Sequence, residues 1–238
     1  MKANFWLETQ PSPDNGDGPA TANGGTTDPF WARLATVGLS GNTWGAVNFG
    51  RQYSPWFSAR AGNDIFYTAG VGSNYNMEAA LTRISNSVRY TSNSMNGFVL
   101  NVSYSFGNQF GGAVSDTGNE GTTATTDKLG QETGISLAYG NGPLKLVYAY
   151  DKQQTSHADA TGLVSANGHK KLNHINGSYD FKVVKLVAGW NSQKQDATVP
   201  AGAAVSDQRS WYVGGVMPVF GKDIVKAEYT RLNRKLVS

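Results

Sequence analysis

Apolar and polar positions alternate with a period of two along most of this chain. Phe98, Leu100, Val102, Tyr104 and Phe106 fall on one face, while Asn101, Ser103 and Ser105 fall on the other with Val99. Successive side chains of a β-strand point to opposite faces, so the spacing predicts a strand with an apolar side and a small-polar side. The pattern recurs in Ile135, Leu137 and Tyr139, in Leu144, Leu146, Tyr148 and Tyr150, and in Ile175, Tyr179 and Phe181. It returns in Leu186, Ala188 and Trp190 and in Val225, Ala227 and Tyr229, and less cleanly around Tyr212, Val216 and Pro218. Further strands are predicted near 2–9, 29–40, 45–52 and 83–92, which makes eleven. Only the stretch 53–82 leaves room for a helix.

The connections alternate as well. Short turns are predicted near 41–44, 93–96, 140–143, 182–183 and 219–222, with hairpin chemistry such as Asn141-Gly142. Long polar links fall at 10–28, 53–82, 108–130, 153–169 and 193–208. Antiparallel strands joined this way make a sheet with two unlike rims. A sandwich or a propeller gives no reason to sort loops by side. A transmembrane barrel does, with short turns at one end, long loops at the other and strands that are apolar outside and polar inside. A soluble β-protein with one wet face is the plainer alternative.

Composition narrows the choice. Of 238 residues, 39% are apolar and 16% charged, with 29 Gly, 11 Tyr, 10 Phe and 6 Trp. Many aromatics argue against disorder. The absence of Cys excludes disulfides, thiolate metal sites and a Cys nucleophile. No run approaches the ~20 apolar residues of a membrane helix. Glu8 interrupts the N-terminal segment before any signal-peptide core forms. The net charge of +3 is spread along the chain rather than clustered, so nucleic acid is not an expected partner.

Four segments, in order and spacing, carry a family resemblance. They are Ala3-Asn4-Phe5-Trp6-Leu7-Glu8, Ala32-Arg33-Leu34-Ala35-Thr36-Val37-Gly38, Gly50-Arg51-Gln52-Tyr53 and Arg83-Ile84-Ser85-Asn86-Ser87-Val88-Arg89-Tyr90. The chain resembles the general porins of Gram-negative outer membranes, most closely the beta-proteobacterial type. The resemblance implies an all-β transmembrane antiparallel barrel, sixteen-stranded and homotrimeric in the family. It also implies a passive channel for small hydrophilic solutes and ions, set in outer-membrane lipid. On that footing the chain is expected to be a fragment, starting at the third strand and stopping after the thirteenth. The terminal Phe of the family is replaced by Leu236-Val237-Ser238.

The resemblance also implies functional residues. The link 53–82 should fold into the barrel and narrow it, presenting the acids Asp64 and Glu78, with Arg60 nearby. Arg33 and Arg83 match the stacked arginines of the facing wall, and Arg51 sits at the base of the loop. Alternation puts Arg89 on the same face as Arg83. Two acids opposing three or four arginines imply a transverse field and a mild anion preference. The link 10–28 matches the segment that latches onto a neighbouring subunit. One conflict arises: alternation places Arg33 with Ala35, Val37 and Leu39, on the outward face. Either a bulge or a wall packed on a neighbouring subunit would resolve it.

Catalysis is not expected. His157 and His169 share one long link near Asp159, and His174 lies in a strand beside Asn173, but no nucleophile motif accompanies them. No cofactor or metal site is expected: Gly70-Val71-Gly72 lacks the following Lys-Ser/Thr of a phosphate loop, and the acids are too scattered for an EF-hand. The remaining rival is a soluble or surface β-rich binding module.

Overall fold

The computed structural model describes residues 1–9, 31, 33–68, 72–74, 82–107, 131–158, 164–195, 205–221 and 223–237. Eleven strands follow one another: β1 (Lys2–Glu8), β2 (Leu34–Gly41), β3 (Gly45–Tyr53), β4 (Arg83–Thr91), β5 (Phe98–Phe106) and β6 (Gln131–Asn141). Then come β7 (Leu144–Ala158), β8 (Val164–Asp180), β9 (Lys185–Gln195), β10 (Val205–Val219) and β11 (Asp223–Val237). One helix, α1 (Pro55–Ala61), interrupts them. The strands form a single antiparallel sheet in sequence order, open between β1 and β11.

The two faces are inverted relative to a soluble protein. On β5 the small polar residues Asn101, Ser103 and Ser105 are buried, while Val102, Tyr104 and Phe106 are exposed. On β6, Ser136 is buried while Ile135 and Leu137 are exposed. Cross-strand pairing carries the polar face from Arg89 to Ser103, Gly134, Asp151 and Leu172. A hydrocarbon solvent outside and a wet, loop-filled interior account for both faces. All short turns lie on one rim. Beside them, Phe98 packs on Tyr139 with ring centroids 4.6 Å apart, and Tyr179 on Phe181 at 4.5 Å. Such pairs fit an interfacial aromatic belt.

Three boundaries differ from the alternation pattern. β7 runs on to Ala158 and β8 begins at Val164, so most of the link 153–169 is strand. β9 likewise reaches Gln195 and β10 starts at Val205, inside the expected link 193–208. Backbone pairing continues there through Gln153, Gln154, Gly168 and His169, a stretch without apolar alternation that gives no hydropathy signal. The third boundary is at Arg33, which precedes Leu34, the first residue of β2. Its amide donates to the Glu8 carbonyl at 3.2 Å. Lying outside the strand, Arg33 is not bound by its alternation, and the conflict over its face disappears.

Candidate functional site

The segment after β3 turns onto the polar face of the sheet. Ser54 starts the turn: its hydroxyl accepts from the Phe57 amide at 3.1 Å, and Pro55 follows as the first helical residue. Trp56, Phe57 and Ala59 then pack on Val147, Ala149 and Leu172 of β7 and β8. Trp56 is fully buried, with its ring edge-on to His174, centroids 6.1 Å apart. Gly134 makes room for the seat: a Cβ there would lie 2.8 Å from Pro55 Cδ and 2.6 Å from Asp151 Oδ1. This is the largest apolar core among the described residues, and it joins a loop to a wall rather than a sheet to a sheet.

Polar contacts complete the seat. Asn176 of β8 donates to the Ala59 carbonyl at 3.2 Å and accepts from Asn63. His174 is hydrogen-bonded to Asn191 and Asn176, and Asn191 donates to Ser210 at 3.0 Å. Arg60 lies 5.1 Å from the Trp56 ring centroid and donates to the Asn74 carbonyl and, at 3.2 Å, to its Oδ1. Asp64 caps the next bend. Its carboxylate accepts from the amides of Phe66 and Thr68, each at 2.9 Å, and from the Ser73 hydroxyl. Ile65 then packs on Val187 and Tyr212, and the Ile65 carbonyl accepts from Lys226 of β11 at 2.7 Å.

The arginines gather at the root of this segment, around Tyr53. Arg33 donates to the Tyr53 hydroxyl at 3.0 Å and pairs with Glu8. That hydrogen bond to Glu8 outweighs partial burial and raises the Arg33 pKa above its ordinary value. The Arg83 guanidinium lies over the Tyr53 ring, 5.1 Å from its centroid. Arg89 donates to the Tyr53 carbonyl at 3.0 Å, to Ser58 at 3.3 Å and to Asn101 at 2.8 Å. Arg51 donates to Ser85 at 2.6 Å.

Arg83 and Arg89 converge on Tyr53, but not by sharing an alternating face. Gly50 pairs with Ser87 and Gln52 with Ile84, so two steps on β3 span three on β4. Asn86 takes up the extra residue at φ 46°. Ile84 and Ser87 are both buried despite their spacing, so the side-chain alternation reverses across this bulge.

The acids sit differently from the arginines. Asp64 is 3% exposed, its oxygens held by its own loop. Sequence reasoning missed Glu132 and Asp151, which lie beneath the loop at 1% and 0% exposure, with Gln153 donating to Glu132 at 2.8 Å. It also missed Tyr53 as the hub, Trp56 as the anchor and Lys226 at the far wall. Only the Ser54-Pro55 capping pair could have been found by pattern. Glu78 and the link 10–28 lie outside the described residues, as does the His157 side chain. His169 is half-buried on β8. Among the described residues, no group of three or more His, Asp or Glu could hold a metal ion.

Comparison with known proteins gives a consistent picture. A family model described as Gram-negative porin matches residues 1–237. An outer membrane porin protein of Bordetella pertussis is 34% identical over 194 residues, which is 80% of this chain and 47% of the relative. Outer membrane porin protein 32 of Delftia acidovorans is 26% identical over 246 aligned positions, covering all of this chain and 62% of the relative. The chain thus spans about half to three-fifths of the length of these relatives. Among solved structures, the anion-selective porin from Comamonas acidovorans superposes with a TM-score of 0.70 at 24% identity, over 98% of this chain and 64% of that one. OmpT of Vibrio cholerae superposes with a TM-score of 0.61 at 14% identity, over 86% of this chain and 60% of that one.

Proposed function

Because the chain belongs to the Gram-negative porin family, we propose that it forms the wall and constriction of a passive diffusion channel for small hydrophilic solutes and ions. Its fold is that of a transmembrane antiparallel β-barrel and its place is the outer membrane. Porins are channels rather than enzymes. The loop 53–82 is the constricting element, and the assembly is a homotrimer, with 10–28 as the latch to the next subunit. The observation that carries the reading is the segment 54–68, which lies against the polar face of the sheet from β3 to β11.

The constriction favours anions. Arg33, Arg51, Arg83 and Arg89 are held at one end, mostly by neutral acceptors, while Asp64, Glu132 and Asp151 are buried away from the opening. Guanidinium groups stay charged at any relevant pH. The Comamonas relative is named anion-selective, which supports the same sign. Reversal potentials in a salt gradient across a planar bilayer test it: replacing Arg83 with Gln is expected to weaken the anion preference, and cation preference in the unaltered chain would overturn the reading. A soluble binding module would need its exposed Phe5, Val37, Phe49, Ile135 and Leu146 face covered by protein rather than by lipid.

A further inference from the structure

The tip of the loop adopts a backbone that L-residues resist. Tyr67 and Thr68 stand consecutively in the left-handed region, at φ 58° and 60°. Asp64 holds the bend from within the loop through the Phe66 and Thr68 amides. The outer side of the bend is different. Tyr67 is 76% exposed, so burial does not hold its ring. The Lys226 ammonium lies 4.2 Å from that ring's centroid and donates to the Ile65 carbonyl at 2.7 Å.

Lys226 reaches the loop from the far side of the sheet. It pairs with Val216 across β10 and β11, and Val216 packs on the cluster of Ile65, Val187 and Tyr212. Tyr212 can lie flat there because its partner across the ladder is Gly189, where a Cβ would come within 2.4 Å of the ring. Apolar packing therefore sets the height of Ile65 above the wall. The cation fixes the following residues laterally, by one carbonyl and one ring.

We propose that Lys226 is a positioning residue that clamps the loop tip to the far wall, and so fixes the width and steadiness of the opening. Two contacts of different chemistry meet one ammonium, and only a cation serves both. A methionine of similar length would fill the space and hold neither. An arginine would hold both, since its planar cation donates to carbonyls and stacks on aromatic faces.

This rests on the reading of the loop as the constriction, so the test separates the two. The chain contains no cysteine, and a Thr68→Cys variant therefore takes a single spin label at the tip. The label's mobility is read by electron paramagnetic resonance on the 238-residue chain refolded in detergent. Lys226→Met is expected to raise the mobile fraction roughly tenfold, and Lys226→Arg to restore it. Tyr67→Leu should mobilise the label from the loop side, independently of how β11 folds. In planar bilayers, Lys226→Met should then give larger and noisier conductance, again restored by Arg. An unchanged label in Lys226→Met overturns the clamp. A mobilised label with unchanged conductance overturns its control of width. A chain that does not conduct in any form overturns the channel reading, while the label still decides the clamp.

Discussion

Replacing Trp56 with Ala should release the loop and leave the sheet intact. Trp56 is fully buried, and a buried aromatic hides about 150–250 Å². At ~25 cal/mol per Å² this gives about 4–6 kcal/mol. Residual burial in the released loop lowers the figure to about 3–5 kcal/mol, the range seen for large-to-small aromatic truncations. Each 1.4 kcal/mol is a factor of ten, so the unseated population should rise by roughly two to three orders of magnitude. The neighbouring contacts limit the displacement, since Asn176 still holds the Ala59 carbonyl. The strand ladders do not depend on Trp56, so thermal unfolding of the β-signal should barely move. The assays are single-channel recordings for conductance and noise, paired with circular dichroism on heating. If the unfolding midpoint falls while the recordings stay unchanged, Trp56 stabilises the wall and the loop is held by something else.

Three other substitutions probe the same arrangement. Gly134→Ala places a Cβ 2.8 Å from Pro55 and 2.6 Å from Asp151, so it should lift the start of α1 and alter conductance without unfolding the sheet; normal conductance would mean the wall yields instead. Asp64→Asn leaves one acceptor oxygen for three donors, a loss of about 1–3 kcal/mol from the tip, and chymotryptic cleavage at Phe66 or Tyr67 should accelerate. An unchanged cleavage rate would show that the bend does not need its cap. Glu8→Gln removes an ion pair whose side chains are 31% exposed, so stability should change by at most about 1 kcal/mol. Arg33 then loses its neutralising partner, and reversal potentials should move toward stronger anion preference; no movement would place Arg33 off the ion path.

The fold was legible because the bilayer leaves few choices. Ile135, Leu137 and Tyr139 alternate with small residues since one side meets lipid, and the unequal rims follow from the same insertion. The legible part ends where both faces turn polar, which is why Gln153, Gln154 and His169 looked like loop and proved to be paired strand. The site was half legible. Arg33, Arg51, Arg83 and Arg89 do collect at the root of the loop, around or beside Tyr53. The parity of Arg83 and Arg89 was unreadable, because the reversal depends on one Asn at positive φ that no hydropathy pattern marks. Trp56 reads as one aromatic among many until Val147, Ala149 and Leu172 are brought beneath it from strands far along the chain.

Counting charges along the sequence also leaves out burial and pairing, on which the proposed field depends. A charge matters to a passing ion only if it is neither buried nor cancelled. Asp64 is both buried and fully engaged by its own loop, and Glu132 and Asp151 are sealed beneath α1. The arginines are engaged too, but with a different effect. Tyr53 Oη, the Tyr53 carbonyl, Ser58, Ser85 and Asn101 are neutral acceptors. A hydrogen bond to a neutral acceptor fixes a guanidinium in place and leaves its charge intact, whereas a carboxylate partner removes most of its reach. Glu8 is a carboxylate of that second kind, paired with Arg33. In the proposed reading, the same polar contacts that hold the loop subtract acids from the opening and leave the arginines to set its sign. The proposed anion preference follows from that asymmetry rather than from the net charge of +3, and a neutral-to-acidic change at Ser85 or Asn101 should reverse it more effectively than adding an acid elsewhere on the chain.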